Sequence, residues 1–306
     1  MKKEFDENDL GEPKQVLQAV IEERKNTISI SQERAITDAL QKFHMENCNP
    51  SDTVLPTSAQ KLTKGTGLPP AQYPYLSLLG TLLWIARFSR PDILYAVTYM
   101  GKFNTTYTAE HFKVLQHILR YLKGTKSYKY VMDTSGYDYS SLHLTLYSDS
   151  DWASDTEDRK STTGGCIFLN GCLLDSICKK QTAVSLSSTE AETYAASHVT
   201  SNGLFMVNLL EEIDKGRLVM PVSLKVDNEG CRMLMDGDGN SKRAKHIDIR
   251  CFFIRDFIKK KVLKLVHVPT TYQMADIFTK LLPGPRTKFL SMYILGMQRE
   301  SPEALK

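Results

Sequence analysis

The sequence lacks the features that mark membrane and secreted proteins. It has no apolar run of about 18 residues, the length that a membrane-spanning helix needs, so we expect no membrane partner. Its N-terminal segment has two lysines but no apolar core after them, which argues against a signal peptide. None of its six cysteines forms a CxxC pair. We therefore expect buried free thiols in a reducing compartment, the cytoplasm or nucleus, rather than a zinc site.

Repeats and low-complexity tracts are also absent, and a net charge of +4 is too small to indicate a partner by itself. With 306 residues, 42% of them hydrophobic and 24% charged, the chain has the composition of a globular protein. Its length is enough for two compact domains or for one large one.

The first part of the chain predicts a hairpin followed by a small helical bundle. Alternating apolar residues in 15–23 and 27–30 flank a polar turn, which is typical of a β-hairpin. A helical pattern follows from Ser31 to about Asn47, and a polar segment to about residue 70 predicts a linker. Apolar stripes at helical spacing then predict three packed helices, over 75–85, 93–100 and 109–122.

Near residue 140 the pattern changes to strands and helices in the order βββαβααβα, which favours a mixed sheet with helices on its faces. The dipeptide Asn170-Gly171 indicates a hairpin, because both residues tolerate the positive φ of a two-residue turn. Ser187 and Glu190 have the spacing of a capping box at the start of a long helix that ends near Ile213.

Four acidic residues lie where a metal-dependent nuclease would need them. Asp149 ends the first strand of this sheet (HLTLYSDSDW), and Asp227 ends the fourth (SLKVDN). Glu192 lies in the first turns of the long helix (SSTEAETYAA), and Asp276 opens a short helix (TYQMADIFTK). Each alone is more often a cap or turn residue. Together they predict a site, because hydrolysis with two Mg²⁺ ions needs several hard oxygen ligands on rigid elements.

At these residues the chain resembles the ribonuclease H domain of copia-type LTR retrotransposon Pol polyproteins. The matching segments are YSDSDWASDTEDRKSTTGG, KKQTAVSLSSTEAETYAA, VDNEG, KHIDIRCFFIRD and VPTTYQMADIFTK. The first half resembles the end of the reverse transcriptase of the same polyproteins, in DLGEPKQVLQAVI, YPYLSLLGTLLWIARFSRPDILYAV and HILRYLKGT. The YxDD motif of the polymerase does not occur, so we expect no DNA synthesis from this chain alone.

The resemblance implies a fold class and a domain plan. The fold is an α/β, RNase H-like mixed five-stranded sheet with flanking helices, preceded by a hairpin and a small helical bundle from the end of a reverse transcriptase. The plan has a palm-end remnant with linker, a thumb- or connection-like helical region, an RNase H-like domain and a C-terminal tail, over residues 1–70, 71–138, 139–285 and 286–306.

The resemblance also implies the site and its ligands. Asp149, Glu192, Asp227 and Asp276 would be catalytic residues and ligands of Mg²⁺ or Mn²⁺. Asp151 on the same strand face is an alternative to Asp149, and Glu190 is an alternative to Glu192. Many ribonucleases H have a histidine in the loop before the last aspartate. The stretch 268–271 has none, although His267 is close.

Basic residues predict contacts with nucleic acid. The stretch 242–264 is strongly basic, and its outward side is either a solvated helix face or a surface for phosphates. Asn228 would contact a ribose 2′-hydroxyl or cap a helix. The candidates for binding nucleic acid are Arg159, Lys160, Lys179, Lys180, Asn228, Lys245 and His246.

The function that follows is a metal-dependent endoribonuclease that cleaves the RNA strand of RNA–DNA hybrids, with other parts of the Pol polyprotein as further partners. In an active element it would lie in a virus-like particle. The alternative is a catalytically unused nucleic-acid-binding or structural fragment of a decayed element. A transposase or integrase is disfavoured, because its site normally finishes on a helical glutamate, whereas the glutamate here is second.

Overall fold

A computed structural model describes residues 11, 12, 14–135, 140–237 and 245–298. The N-terminal part forms an antiparallel four-stranded sheet in the order β1-β2-β3-β4. Its strands are β1 (Gln15–Val16), β2 (Ala19–Arg24), β3 (Thr27–Ser31) and β4 (Tyr130–Asp133). The predicted hairpin is β2–β3. The stretch predicted as its first strand is divided, because Leu17 and Gln18 have positive φ angles of 48° and 64° and form a turn.

Four helices follow this hairpin, and the predicted bundle is among them. They are α1 (Glu33–Lys42), α2 (Tyr75–Phe88), α3 (Leu94–Gly101) and α4 (Ala109–Gly124), with 3-10 helices at Thr57–Lys61 and Pro91–Ile93. The apolar stripe of α4 is buried, as its spacing predicts. The polar side of α4 binds the preceding linker: Arg120 donates to the Asn49 carbonyl, and Lys123 donates to the Cys48 carbonyl.

The second half contains the predicted mixed five-stranded sheet, and the fold class is confirmed. Its strands are β5 (Leu144–Asp151), β6 (Thr162–Leu169), β7 (Cys172–Lys180), β8 (Val222–Val226) and β9 (Leu263–His267). Their order is β7-β6-β5-β8-β9. The first three strands pair antiparallel, whereas β8 is parallel to both β5 and β9. Asn170 and Gly171 have the positive φ angles that their hairpin requires.

Helices cover both faces of this sheet. One face packs against α5 (Ser188–Ile213), α6 (Glu229–Asp236) and α7 (Lys245–Lys259), through a core that includes Leu146, Val199 and Leu224. The other face packs against the helical bundle, the 3-10 helix Met274–Phe278 and α8 (Gly284–Ile294). A further short 3-10 helix, Thr270–Tyr272, lies directly before Met274–Phe278.

The bundle and the sheet share one core. Tyr147, Cys166 and Phe168 of the sheet belong to the same buried cluster as the apolar residues of α2, α3 and α4. Strand β4, which lies in the predicted helical region, pairs with β3 of the N-terminal part. The segment predicted as a C-terminal tail contains most of α8, whose Leu290 and Ile294 are fully buried. The domain boundaries at 70, 138 and 285 stay a prediction.

The expectations about the cysteines and about membrane-spanning helices can be compared with the structure. All six cysteines have free thiols, five of them buried and Cys48 half-buried. Among the described residues, no helix combines the length and the apolar character needed to cross a membrane.

Candidate active site

Three of the four predicted acids converge at the end of the central strand. Asp149 lies in β5, Asp227 directly follows the neighbouring β8, and Glu192 lies in the second turn of α5. One carboxylate oxygen from each lies within 4.8 Å of those of the other two. The parallel pairing of β5 and β8 places the two aspartates side by side, as the strand order predicts. We call these three residues the carboxylate trio.

Neutral hydrogen-bond donors orient each member of the trio. Thr279 donates its hydroxyl to Asp149 Oδ2, and Thr270 donates to Asp227 Oδ2 at 2.9 Å. The backbone N–H of Ser150 donates to Glu192 Oε1 at 3.3 Å. These bonds fix the carboxylates without cancelling their negative charge.

Glu192 has an oxygen without a partner. The residue is only 6% exposed, and its Oε2 has no hydrogen-bond partner among the described residues. A buried carboxylate oxygen next to two other carboxylates is costly unless a cation neutralises it. The donor set consists only of carboxylate oxygens, which suits Mg²⁺ or Mn²⁺. The residues present therefore fit a divalent metal ion.

The electrostatics of the trio point in the same direction. Burial raises the pKa of Asp149 to about 7, assisted by repulsion from Asp276 and Asp227 and opposed by Lys280 and Thr279. Burial also raises the pKa of Glu192 well above its usual range, and repulsion from Asp149 and Asp227 adds to this effect. The negative charges are thus held close together at a cost that a bound cation would remove.

Asp276, the fourth predicted acid, lies beside the trio but outside it. It is 97% buried in the 3-10 helix Met274–Phe278. Its Oδ1 pairs with Lys280 Nζ at 2.8 Å, and its Oδ2 pairs with Arg286 Nη2 at 3.2 Å. Lys280 Nζ also lies 3.5 Å from Asp149 Oδ2. Burial disfavours the charge of Lys280, but Asp149 and Asp276 outweigh it and raise the pKa of the ammonium group.

The structure places the two alternative acids elsewhere. The Glu190 N–H donates to Ser187 Oγ, as the predicted capping box requires, but the Glu190 side chain accepts from Leu186 N at 2.7 Å instead of from the Ser187 N–H, so the box is only half formed. Asp151 follows Asp149 on the same strand face and lines a cleft towards α3. Neither residue belongs to the trio.

The candidate nucleic-acid-binding residues have mixed surroundings. Arg159 and Lys179 are exposed. Lys180 Nζ pairs with Asp155 and with Asp158 at 2.9 Å, and Lys160 lies 3.9 Å from Asp158. Asn228 accepts a hydrogen bond from Cys231 N at 2.8 Å and caps α6, so its capping alternative is the one observed. Lys245 and His246 lie in α7, but their side chains are outside the described residues.

The basic residues of α7 partly turn inwards. Arg250 stacks on Tyr194 of α5, with the guanidinium carbon 3.7 Å from the ring centroid. Arg255 donates to the carbonyls of Leu234 and Met235 in α6. On this helix, therefore, part of the positive charge holds the neighbouring helices together.

Sequence reasoning missed the residues that hold the last acid in place. Gln273 is fully buried and donates from Nε2 to the Ser148 carbonyl of β5 at 3.0 Å, while its Oε1 accepts from Ala275 N. Lys280 and Arg286 supply the cations. Only Lys280 carried a signal, since it lies four residues after Asp276 and so on the same helical side.

No protein-family model matches the chain. It is 36% identical over 278 residues to the retrovirus-related Pol polyprotein from transposon RE1 of Arabidopsis thaliana, covering 90% of this chain and 18% of that protein. It is 32% identical over 311 residues to the counterpart from transposon TNT 1-94 of Nicotiana tabacum, covering 97% and 22%. The chain thus spans about a fifth of these relatives. Among solved structures, LC11-RNase H1 matches with a TM-score of 0.36 and 16% identity, over 45% of this chain and 92% of that one.

Proposed function

The chain belongs to the family of retrovirus-related Pol polyproteins from copia-type transposons, and on this premise we propose that it is a metal-dependent ribonuclease H. Its substrate is the RNA strand of an RNA–DNA hybrid. Asp149, Glu192, Asp227 and Asp276 are the proposed active-site acids. It acts inside the cell, in the cytoplasm, the nucleus or a virus-like particle, with other parts of the polyprotein as partners.

The observation that carries this proposal is the unpartnered Oε2 of Glu192 beside Asp149 and Asp227. A structural cluster of acids would be expected to satisfy its buried oxygens from within the protein. Here the described residues leave one oxygen unsatisfied at the point where three carboxylates meet. That arrangement favours a site for Mg²⁺ or Mn²⁺ over a packing role.

Bound Mg²⁺ would lower the pKa of a water molecule and stabilise the leaving 3′ oxygen of the cleaved phosphodiester. The trio would hold the ion, and the donors to it keep the carboxylates oriented before the ion arrives. Thr279 and Thr270 do this for the two aspartates. Gln273 attaches the loop before Asp276 to β5, so the acid stays beside the strand end.

Basic residues around the sheet are the proposed contacts to the hybrid. Arg159 and Lys179 are exposed near the β6–β7 hairpin. Lys160 and Lys180 would have to exchange their aspartate partners for phosphates. Lys245 and His246 of α7, and Asn228 at the start of α6, complete the proposed set. Binding through phosphates would weaken steeply as salt is added.

The test is hydrolysis of an end-labelled RNA–DNA hybrid in Mg²⁺, comparing wild type with Asp227→Asn. We expect the variant to lose at least about a hundredfold in kcat. The matched control is Asp256→Asn, the same change at an exposed aspartate of α7 that pairs with Lys260. It should cleave like wild type. Hydrolysis that is absent in wild type, or unchanged in Asp227→Asn, contradicts the proposal. Hybrid binding without hydrolysis would support the unused-fragment alternative instead.

A further inference from the structure

Asp276 differs from the trio in the partners of its oxygens. Both oxygens are in ion pairs with side chains of the protein, Oδ1 with Lys280 and Oδ2 with Arg286. The trio members that face one another accept from neutral donors at Ser150, Thr270 and Thr279. A metal ion at Asp276 would have to displace the ammonium group of Lys280 or the guanidinium group of Arg286. Among the described residues, no such group pairs with Glu192 or Asp227, so a metal ion could bind these two without displacing a cation.

Lys280 bridges the two parts of the site. Its Nζ lies 2.8 Å from Asp276 Oδ1 and 3.5 Å from Asp149 Oδ2, so one positive charge is shared by two buried carboxylates. At such distances, beside two buried carboxylates, a unit charge attracts each carboxylate and repels a second cation that would approach the same oxygens. The ammonium group of Lys280 therefore occupies the position that a second metal ion bound by both Asp149 and Asp276 would need.

We propose that Lys280 supplies the second cation of this site, so that the protein takes up one divalent ion at Asp149, Glu192 and Asp227 instead of two of similar affinity. This inference rests on the proposed ribonuclease function. Asp276 then acts as a positioning residue, because it holds Lys280 beside Asp149. Arg286 fixes the other oxygen of Asp276 and so keeps the carboxylate from turning towards the trio.

The space around Lys280 allows a second ion to bind weakly. The side chain is 37% exposed, and it lines a cleft of about 360 Å³ between α3 and the sheet. Tyr95 and Asp151 line the same cleft. The ammonium group has room to withdraw there, but only after it gives up both carboxylates. We therefore expect any second ion to bind much more weakly than the first.

The test is a count of bound Mn²⁺ ions by electron paramagnetic resonance and calorimetry on the full chain, from micromolar to low millimolar free Mn²⁺. Wild type should bind one ion. Lys280→Met should bind two, with the second at least about tenfold tighter than in wild type. Lys280→Arg, which keeps the charge, should bind one.

The matched control is Lys102→Met. Lys102 lines the same cleft, but it pairs with Asp155 at 3.0 Å and not with the active-site acids. It should leave the count at one. A wild-type count of two ions of similar affinity overturns the inference without any variant, and so does a count of one in folded Lys280→Met. Hybrid cleavage measured in parallel separates the two proposals: a single bound ion without cleavage removes only the ribonuclease, and two ions with cleavage remove only the role of Lys280.

Discussion

At the scale of single residues, the site brings buried carboxylates close together, and their negative charges repel one another. Asp149 and Glu192 are both more than nine-tenths buried, and each repels the other and Asp227. Lys280 offsets part of this charge from the side of Asp276. The remaining repulsion lowers the stability of the metal-free protein, which is a common cost of a functional site.

Glu192→Gln should therefore stabilise the metal-free protein while abolishing hydrolysis. A carboxyl whose folded pKa is raised destabilises the fold at pH values above its unfolded pKa, and an amide of the same shape removes that effect. We expect about 1–2 kcal/mol at pH 8 in EDTA, seen as a rise of a few degrees in Tm. The gain should shrink as the pH falls, because protonation of the wild-type carboxyl removes its charge.

Glu190→Gln is the matched control, the same change two residues earlier in α5. Glu190 accepts from Leu186 N at the helix start, so its loss of charge weakens a cap and should lower the Tm slightly. Equal shifts of the same sign in both variants would show that the trio carries no unrelieved repulsion.

Proton and metal should compete for Asp149. With its pKa raised to about 7, this carboxyl is mostly protonated at pH 6 and mostly ionised at pH 8. Only the ionised form is a ligand, so the affinity for Mg²⁺ should increase by up to about tenfold per pH unit below 7 and level off above it. Calorimetric titrations at pH 6, 7 and 8 measure this directly. An affinity that does not change over this range would contradict the assignment of Asp149.

At the scale of elements, the 3-10 helix Met274–Phe278 brings the last acid to the sheet. It packs directly on β6 at Gly164, where an added Cβ would clash with the Thr279 side chain and lie 2.9 Å from the Ala275 carbonyl. Gln273 ties its start to β5. A residue with a side chain at position 164 would push this helix, and with it Asp276 and Lys280, away from Asp149.

Gly164→Ala should cost about 1–3 kcal/mol of stability through this overpacking, and it should reduce hybrid cleavage as well. Gly80→Ala is the control, because Gly80 is exposed in α2 and no neighbouring atom lies within 4 Å of the added Cβ. It should gain about 0.5–1 kcal/mol from the higher helix propensity of alanine. Denaturant unfolding of the two variants gives both numbers. A neutral Gly164→Ala would mean that the helix adapts without strain.

At the scale of the whole molecule, the helical bundle is part of the structure that supports the site. The bundle and one face of the sheet share a buried cluster. Arg90, which is fully buried, pairs with Asp92 and donates to the Thr125 carbonyl at the end of α4. Tyr121 donates to Asp92 and contacts Ser291 of α8. This network joins three elements that are far apart in the sequence.

Residues 139–298 expressed alone should therefore be much less stable than the full chain. Without the bundle, Leu173 and Cys178 of β7, the strand that α3 and β4 cover, would become exposed, and exposed apolar surfaces of this kind lead to association. We expect a lower Tm and aggregation on heating, measured by scanning calorimetry and light scattering. Cooperative unfolding of the fragment at the Tm of the full chain would show that the sheet does not depend on the bundle.

Local patterns in the sequence predicted most elements of the second half. The alternation in β5, the Asn170-Gly171 turn and the Ser187–Glu190 cap depend on neighbours in the chain, so their outcome needed no tertiary information. The pairing of β4 with β3 was missed, because it joins residues about a hundred positions apart. The division of the first strand at Leu17 and Gln18 was missed because neither residue type favours a positive φ.

The sequence by itself determined the order of the elements and the placement of four acids at strand ends and helix starts. Only the tertiary structure decided which partners these acids have: Asp149, Glu192 and Asp227 lie together, while Asp276 pairs with Lys280 and Arg286. It also decided that Asn228 caps α6 and that Lys180 pairs with aspartates. The physical reason is that periodicity follows from local backbone geometry, whereas the partner of a charged side chain depends on which segments the fold brings within a few ångströms of it.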